Sequence, residues 1–162
     1  VIRGTDAAKF HLDTISDIKP LASKWRAGFG YEFMERPDGY RGLAAAYDLH
    51  FSETPRILDL GLLYRALVDH QVDIVAGNST DGQIDALGMV ILKDDLHYFP
   101  PYQAVPLVRQ ATLDAHPEVG AALQKLAGKV SDDEMRRMNY GVDGELQDPA
   151  DVVRAFRTAK GL

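Results

Sequence analysis

The chain has 162 residues, of which 46% are hydrophobic and 26% charged, and a formal net charge of -6. That balance fits an ordinary globular protein of one domain or two small lobes, and it gives no electrostatic reason to expect nucleic acid or an anionic membrane as partner. The lack of cysteine excludes disulfides, thiolate metal sites and cysteine nucleophiles, and no apolar run approaches the roughly 20 residues a membrane-spanning helix needs.

Taken in chain order, residues 1–3 read as the end of a strand already in progress. Ser16 suits the N-cap of a helix over residues 17–24, with Pro20 in the first turn, where its missing N–H costs little. Residues 29–33 (FGYEF) alternate as a strand does, Pro37-Asp38-Gly39 reads as a turn, and residues 40–47 read as a helix. A short strand at 56–58 precedes a helix over 61–69, whose apolar stripe is Leu62, Leu63, Ala66 and Leu67. Strand 72–76, a short helix over 80–87 and strand 89–92 follow, then a polar turn with Pro100-Pro101 and an apolar strand at 104–108. Beyond that the chain reads as helices only, starting near His116-Pro117, at the capping box Ser131-Asp132-Asp133-Glu134, and at Asp148-Pro149. Strands alternating with helices imply an α/β fold with a largely parallel sheet. The boundary is expected near residue 100, with an α/β unit over 1–100 and a second segment over 101–162.

Three stretches carry side chains suited to a small ligand. In AGNSTDGQIDALG (76–88) a small-residue turn leaves an apolar strand and opens into a helix. That is the carboxyl edge of the sheet, where ligands bind in open α/β folds, and the free N–H groups of a helix start favour an anion. Ser79, Thr80 and Asp81 are equally the usual capping residues, and capping is the commoner use. In YEFMERPDGYRG (31–42), Arg36 lies just past a predicted strand, where a guanidinium can clamp a carboxylate with two parallel hydrogen bonds. Its plainer role is a surface pair with Glu35 or Asp38. In DDLHYFPPYQ (94–103), Tyr98, Phe99 and Tyr102 offer faces that attract a quaternary ammonium, although filling core is the more frequent use of such rings. Asp94-Asp95 reads as a turn and Arg136-Arg137 as a solvated face. The five histidines are scattered without metal-ligand spacing, and neither a nucleophile elbow nor a phosphate loop is present, so a non-catalytic role without cofactor or metal is expected.

The segments GYEFMERPDGYRGL, LDLGLLYRALVDHQVDIVAGNSTDG and LKDDLHYFPPYQAVPLVR, in this order, resemble the substrate-binding domain of ABC importers for glycine betaine, carnitine, choline and related osmoprotectants, and the likeness runs on through HPEVGAALQKLAGKVSDDEMRRMNYGVD. The resemblance implies a type II periplasmic-binding-protein fold, in which two lobes close about a hinge on a solute. It implies that residues 1–100 form lobe two and that 101–162 hold the hinge-return strand and C-terminal helices docked near the hinge. The N-terminal part of lobe one is expected to be absent from the chain, which leaves self-association as a further expectation. It implies an extracytoplasmic location beside the permease that receives the solute.

Residue by residue, the resemblance makes Arg36 the carboxylate grip, three residues after Phe33, and Tyr102 a wall of the aromatic cage. Position 78, usually a tyrosine in the related stretch, is a further wall. Here it is Asn78, whose amide has no π face, so one cation–π contact worth about 0.5–2 kcal/mol is missing. The resulting ligand set is Arg36, Phe33, Asn78, Ser79, Thr80 and Tyr102, with Ser79, Thr80 and Asp81 also shaping the turn. A ligand-sensing domain of a transcriptional regulator is the alternative on the same fold. It would require a DNA-binding segment, and no basic segment of that kind occurs in these residues.

Overall fold

The computed structural model of the chain describes residues 1–100 and 103–162. Strand β1 (Ile2–Arg3) runs directly into helix α1 (Gly4–Phe10), and helix α2 (Lys19–Ala22) leads to β2 (Ala27–Phe29). Helices α3 (Tyr31–Glu35) and α4 (Tyr40–Tyr47) follow, then β3 (Arg56–Ile57), α5 (Leu60–Val68), β4 (Ile74–Val75), α6 (Gln83–Ala86) and β5 (Met89–Val90). Four helices complete the chain: α7 (Gln110–Ala115), α8 (Pro117–Gln124), α9 (Asp132–Asp143) and α10 (Pro149–Lys160).

Strands β3, β2 and β4 form a parallel sheet in that order, with Gly28 opposite both Arg56 and Val75. Strands β1 and β5 pair antiparallel, and Val1 continues the ladder beside β4 through reciprocal bonds with Val75 of 2.8 and 3.0 Å. Side chains alternate between the faces of the parallel sheet, which divides the core in two. Ala27, Phe29 and Ile74 join Ile18, Trp25, Tyr47 and Leu49 on one face. Val72 and Val75 join Leu63, Tyr64 and Leu67 of α5, with Ile84 and Met89, on the other. Gly28 lies where a Cβ would press on the side chains of Val72 and Leu58, so the segments flanking α5 pack closely on β2 there.

An ion cluster fixes the start of the chain to this core. Arg3 donates to Asp6 at 2.6 Å, to Asp73 at 2.9 Å, and to the carbonyls of Leu67 in the last turn of α5 and of Val72 just before β4. Arg26 reaches Asp73 from the other side at 3.1 Å.

Several expectations are corrected. Residues 29–33 are not one strand: β2 ends at Phe29 and α3 starts at Tyr31. Alternation would put Phe29, Tyr31 and Phe33 on one face, yet Tyr31 is 66% exposed while Phe33 packs edge-on against Phe29 at 5.2 Å. Ser16 does not cap a helix. It opens a 3-10 turn (Ser16–Ile18), and its hydroxyl donates to Asp95 at 2.6 Å, while Asp17 accepts the amides of Asp13 and Thr14. Helix α1 escaped notice because Arg3, at its N-cap, makes no side-chain capping bond. In α5 the buried set is Leu63, Tyr64, Ala66 and Leu67, whereas Leu62 is exposed. Residues 104–108 form no strand: Pro106 lacks a donor and Val105 and Leu107 lie in solvent.

Candidate functional site

Because β2, β3 and β4 run parallel, the segments leaving them all depart from one edge of the sheet. The turn after β2 leads through α3 to Arg36, and the turn after neighbouring β4 carries Asn78, Ser79 and Thr80. This carboxyl edge is the usual ligand side of an open parallel sheet.

Arg36 is the C-cap of α3, its amide bonded to the Glu32 carbonyl at 2.9 Å. Its guanidinium grips the Asp38 carboxylate with two bonds, Nε to Oδ1 at 2.9 Å and Nη2 to Oδ2 at 2.6 Å. That hydrogen bonding, from a half-exposed arginine, holds the Asp38 carboxyl below the usual range. The turn between them depends on Gly39, where a Cβ would collide with the Phe33 carbonyl.

Phe33 belongs to the same group. Its ring lies 5.2 Å from Phe29 and 6.4 Å from Phe99, and Tyr98 packs edge-on against Phe99 at 5.0 Å. Asp94 holds this aromatic segment. Its carboxylate accepts the Tyr98 and Phe99 amides at 2.9 and 2.8 Å and the Tyr47 hydroxyl, which itself accepts the Leu96 amide. Burial works to raise the Asp94 pKa, but these donors outweigh it and the net shift is downward. The Tyr47 phenol is shifted upward, by burial first and by Asp94 second. The acidic pair is thus a turn clamp, with Asp95 tied to Ser16. Tyr102 lies outside the described residues.

Asn78, Ser79 and Thr80 form a second group. The organiser of their turn is Asp81, which accepts the Asn78 amide at 2.9 Å, the Asn78 side-chain amide at 3.3 Å and the Tyr64 hydroxyl at 2.6 Å. Ser79 and Thr80 do not cap α6, whose N-cap is Gly82. They are tied to α9 instead. The Ser79 hydroxyl donates to Asp132 at 3.3 Å, the Ser79 carbonyl accepts from Arg136 at 2.5 Å, and the Thr80 carbonyl accepts from the Asn139 side chain at 2.9 Å.

Asp81 thus shapes the turn, as its position suggests, whereas the sequence pattern assigns no role here to Tyr64, Gly82 and Asn139 and puts Arg136 on a solvated face. Arg136 is no solvated residue: its side chain is 14% exposed and also pairs with Asp85 and Asp133. The available signal was spacing, since Arg136, Asn139 and Tyr140 at i, i+3 and i+4 share one helix face. Three of the five histidines, His11, His70 and His97, take left-handed conformations at turns, and His50 and His116 lie against Asp48 and Glu118. Among the described residues no cluster suited to a metal ion occurs.

Over residues 1–159 the chain matches the family described as the substrate binding domain of ABC-type glycine betaine transport system. It is 39% identical over 157 residues to the carnitine transport binding protein OpuCC of Listeria monocytogenes, covering 96% of this chain and 51% of that protein. Over a similar stretch it is 33% identical to a Helicobacter pylori protein named ergothioneine transport permease/ergothioneine binding protein EgtU, covering 97% of this chain and 28% of that one. A crystal structure described as a glycine betaine/carnitine/choline ABC transporter superposes with a TM-score of 0.86 at 39% identity, covering 98% of this chain and 58% of that chain. The chain thus spans about half the length of the Listeria relative.

Proposed function

The chain belongs to the family of substrate-binding domains of ABC-type glycine betaine transport systems, with the α/β fold of a type II periplasmic binding protein, and from that membership we propose that it supplies one wall of a solute cleft. The solute is a small zwitterion or quaternary ammonium compound, captured outside the cytoplasm and passed to the permease of the importer. What supports the reading is the place of Arg36 at the carboxyl edge of β2, three residues after Phe33, where its half-exposed guanidinium forms a two-bond fork on Asp38 that a solute carboxylate would take over by displacing that side chain. A solute carboxylate fits the same fork geometry.

The mechanism is capture by desolvation. Arg36 takes the carboxylate, and the aromatic faces of Tyr98 and Phe99, with Phe33 against Phe99, take the cationic end. Lobe closure then excludes water. Asn78 offers an amide where the family resemblance implies a ring, so the preferred solute carries a polar group for that amide.

The test is calorimetric titration of the chain, alone and completed with the part of the Listeria relative it does not span, against glycine betaine, carnitine and choline. Saturable binding of at least one by the completed protein is expected. No binding of any would sink the osmoprotectant reading and leave only the family and fold.

A further inference from the structure

The turn holding Asn78 is gripped from two sides by elements distant in sequence. On one side Tyr64 of α5 donates its hydroxyl to Asp81, and Gly77 leaves room for that tyrosine, since a Cβ there would collide with the phenol oxygen. On the other side α9 lies directly against the backbone: Arg136 holds the Ser79 carbonyl and Asn139 holds the Thr80 carbonyl. Gly82, buried at the end of the turn, sits where a Cβ would collide with the backbone nitrogen of Tyr140.

We propose that α9 is the positioning element of the Asn78 turn, with Arg136 and Asn139 setting how Asn78 is presented to the solute and so which solute is preferred. The proposal rests on the reading of Asn78 as a cleft residue. Asn78 and Ser79 are exposed, and α6 is only four residues long and carries no side-chain cap bond, so the turn relies on the side chains that grip it. Asp81 and Tyr64 hold its Asn78 side, and α9 fixes the rest through the carbonyls of Ser79 and Thr80, which are main-chain groups that every substitution at 78 leaves in place. Helix α9 suits this task because it is held independently. A full capping box at Ser131 and Glu134 starts it, and Lys160 of α10 pairs with Glu134 at 2.5 Å. Neither Arg136 nor Asn139 needs to touch solute. They act through the two carbonyls.

The experiment uses the completed protein and the variants Asn139→Ala, Arg136→Gln, Asn78→Ala and the double variant Asn78→Ala/Asn139→Ala. Two quantities are read: amide hydrogen exchange over residues 78–84 without solute, and dissociation constants for glycine betaine, carnitine and choline. Asn139→Ala is expected to speed exchange in that stretch, with α4 and α5 unchanged. It is also expected to weaken binding of the preferred solute roughly fivefold, the equivalent of one lost hydrogen bond, and to change the ratio between solutes. Loss of general stability would lower all three affinities together and leave the ratio unmoved. In the double variant the two effects should fail to add, because both pass through the side chain at 78. Additive effects, or unchanged exchange in both Asn139→Ala and Arg136→Gln, overturn the inference alone. Unchanged binding in Asn78→Ala overturns the reading of Asn78 as a cleft residue, and the specificity role with it.

Discussion

Arg36 and Asn78 make different demands on a solute, and single substitutions separate them. The Arg36 fork needs a carboxylate, which glycine betaine and carnitine carry and choline does not. Arg36→Ala should therefore weaken the two carboxylate solutes by about 10–100-fold, the loss of charge-assisted bonds of about 1.5–3 kcal/mol, and leave choline within about twofold. Equal losses for all three would show that Arg36 acts on the fold and not on the ligand. At position 78 a tyrosine restores a π face, so Asn78→Tyr should tighten glycine betaine binding by about 0.5–2 kcal/mol in a calorimetric titration. Binding no tighter than the parent's would remove the amide from the account of selectivity. These residues were legible in different degrees. The pairing of Arg36 with Asp38 was one of the alternatives its neighbours offered, because the two are only two positions apart. The hold of Asp81 on Tyr64 was not legible: it spans 17 residues and depends on how α5 lies against β4.

At the scale of elements, the junction of α6 with α9 is a close backbone contact beside the candidate site. Gly82→Ala would set a methyl group against the Tyr140 backbone, which cannot rotate away as a side chain can. The two helices must separate, at a cost of about 1–3 kcal/mol typical of overpacking. A urea unfolding curve should show that loss, and hydrogen exchange should show α9 losing protection before α5 does. A stability within 0.5 kcal/mol of the parent's, roughly the scatter of ordinary surface changes, would mean the helices are not in contact. Elements with a local signature were readable: the α9 capping box, the Asp148–Pro149 start of α10 and the whole of α4 lie where the pattern puts them. Elements decided by tertiary packing were not. The FGYEF alternation gave way to a helix because Phe33 packs better on Phe29 from one turn along, and no spacing rule announces that α9 covers the turn after β4.

For the molecule as a whole, the fold's effects on ionisation give stability a definite pH profile. The lowered carboxyls of Asp73 and Asp94, each bonded by donors that outweigh its burial, contribute stability above the unfolded value of about 4 and lose it as the pH falls further. At the alkaline end Tyr64 and Tyr47 are raised, chiefly by burial. Their contribution is complete below the unfolded tyrosine value of about 10 and declines above it. Between these limbs lies one further group. When Val1 carries a free α-amino group, that group is partly buried against the Val75 carbonyl, and desolvation there lowers its pKa from 8.0 to about 5. Between those values the unfolded chain binds the proton and the folded chain does not, so stability rises with pH. Acetylating or extending the chain at Val1 leaves an N–H for Val75 and removes the charge. Urea unfolding at pH 5, 6.5 and 8 should therefore show a steep rise for the free amine and a nearly flat line for the blocked chain. Parallel lines would mean that the amine reaches water in the folded state and that the ladder between Val1 and β4 is open at its end.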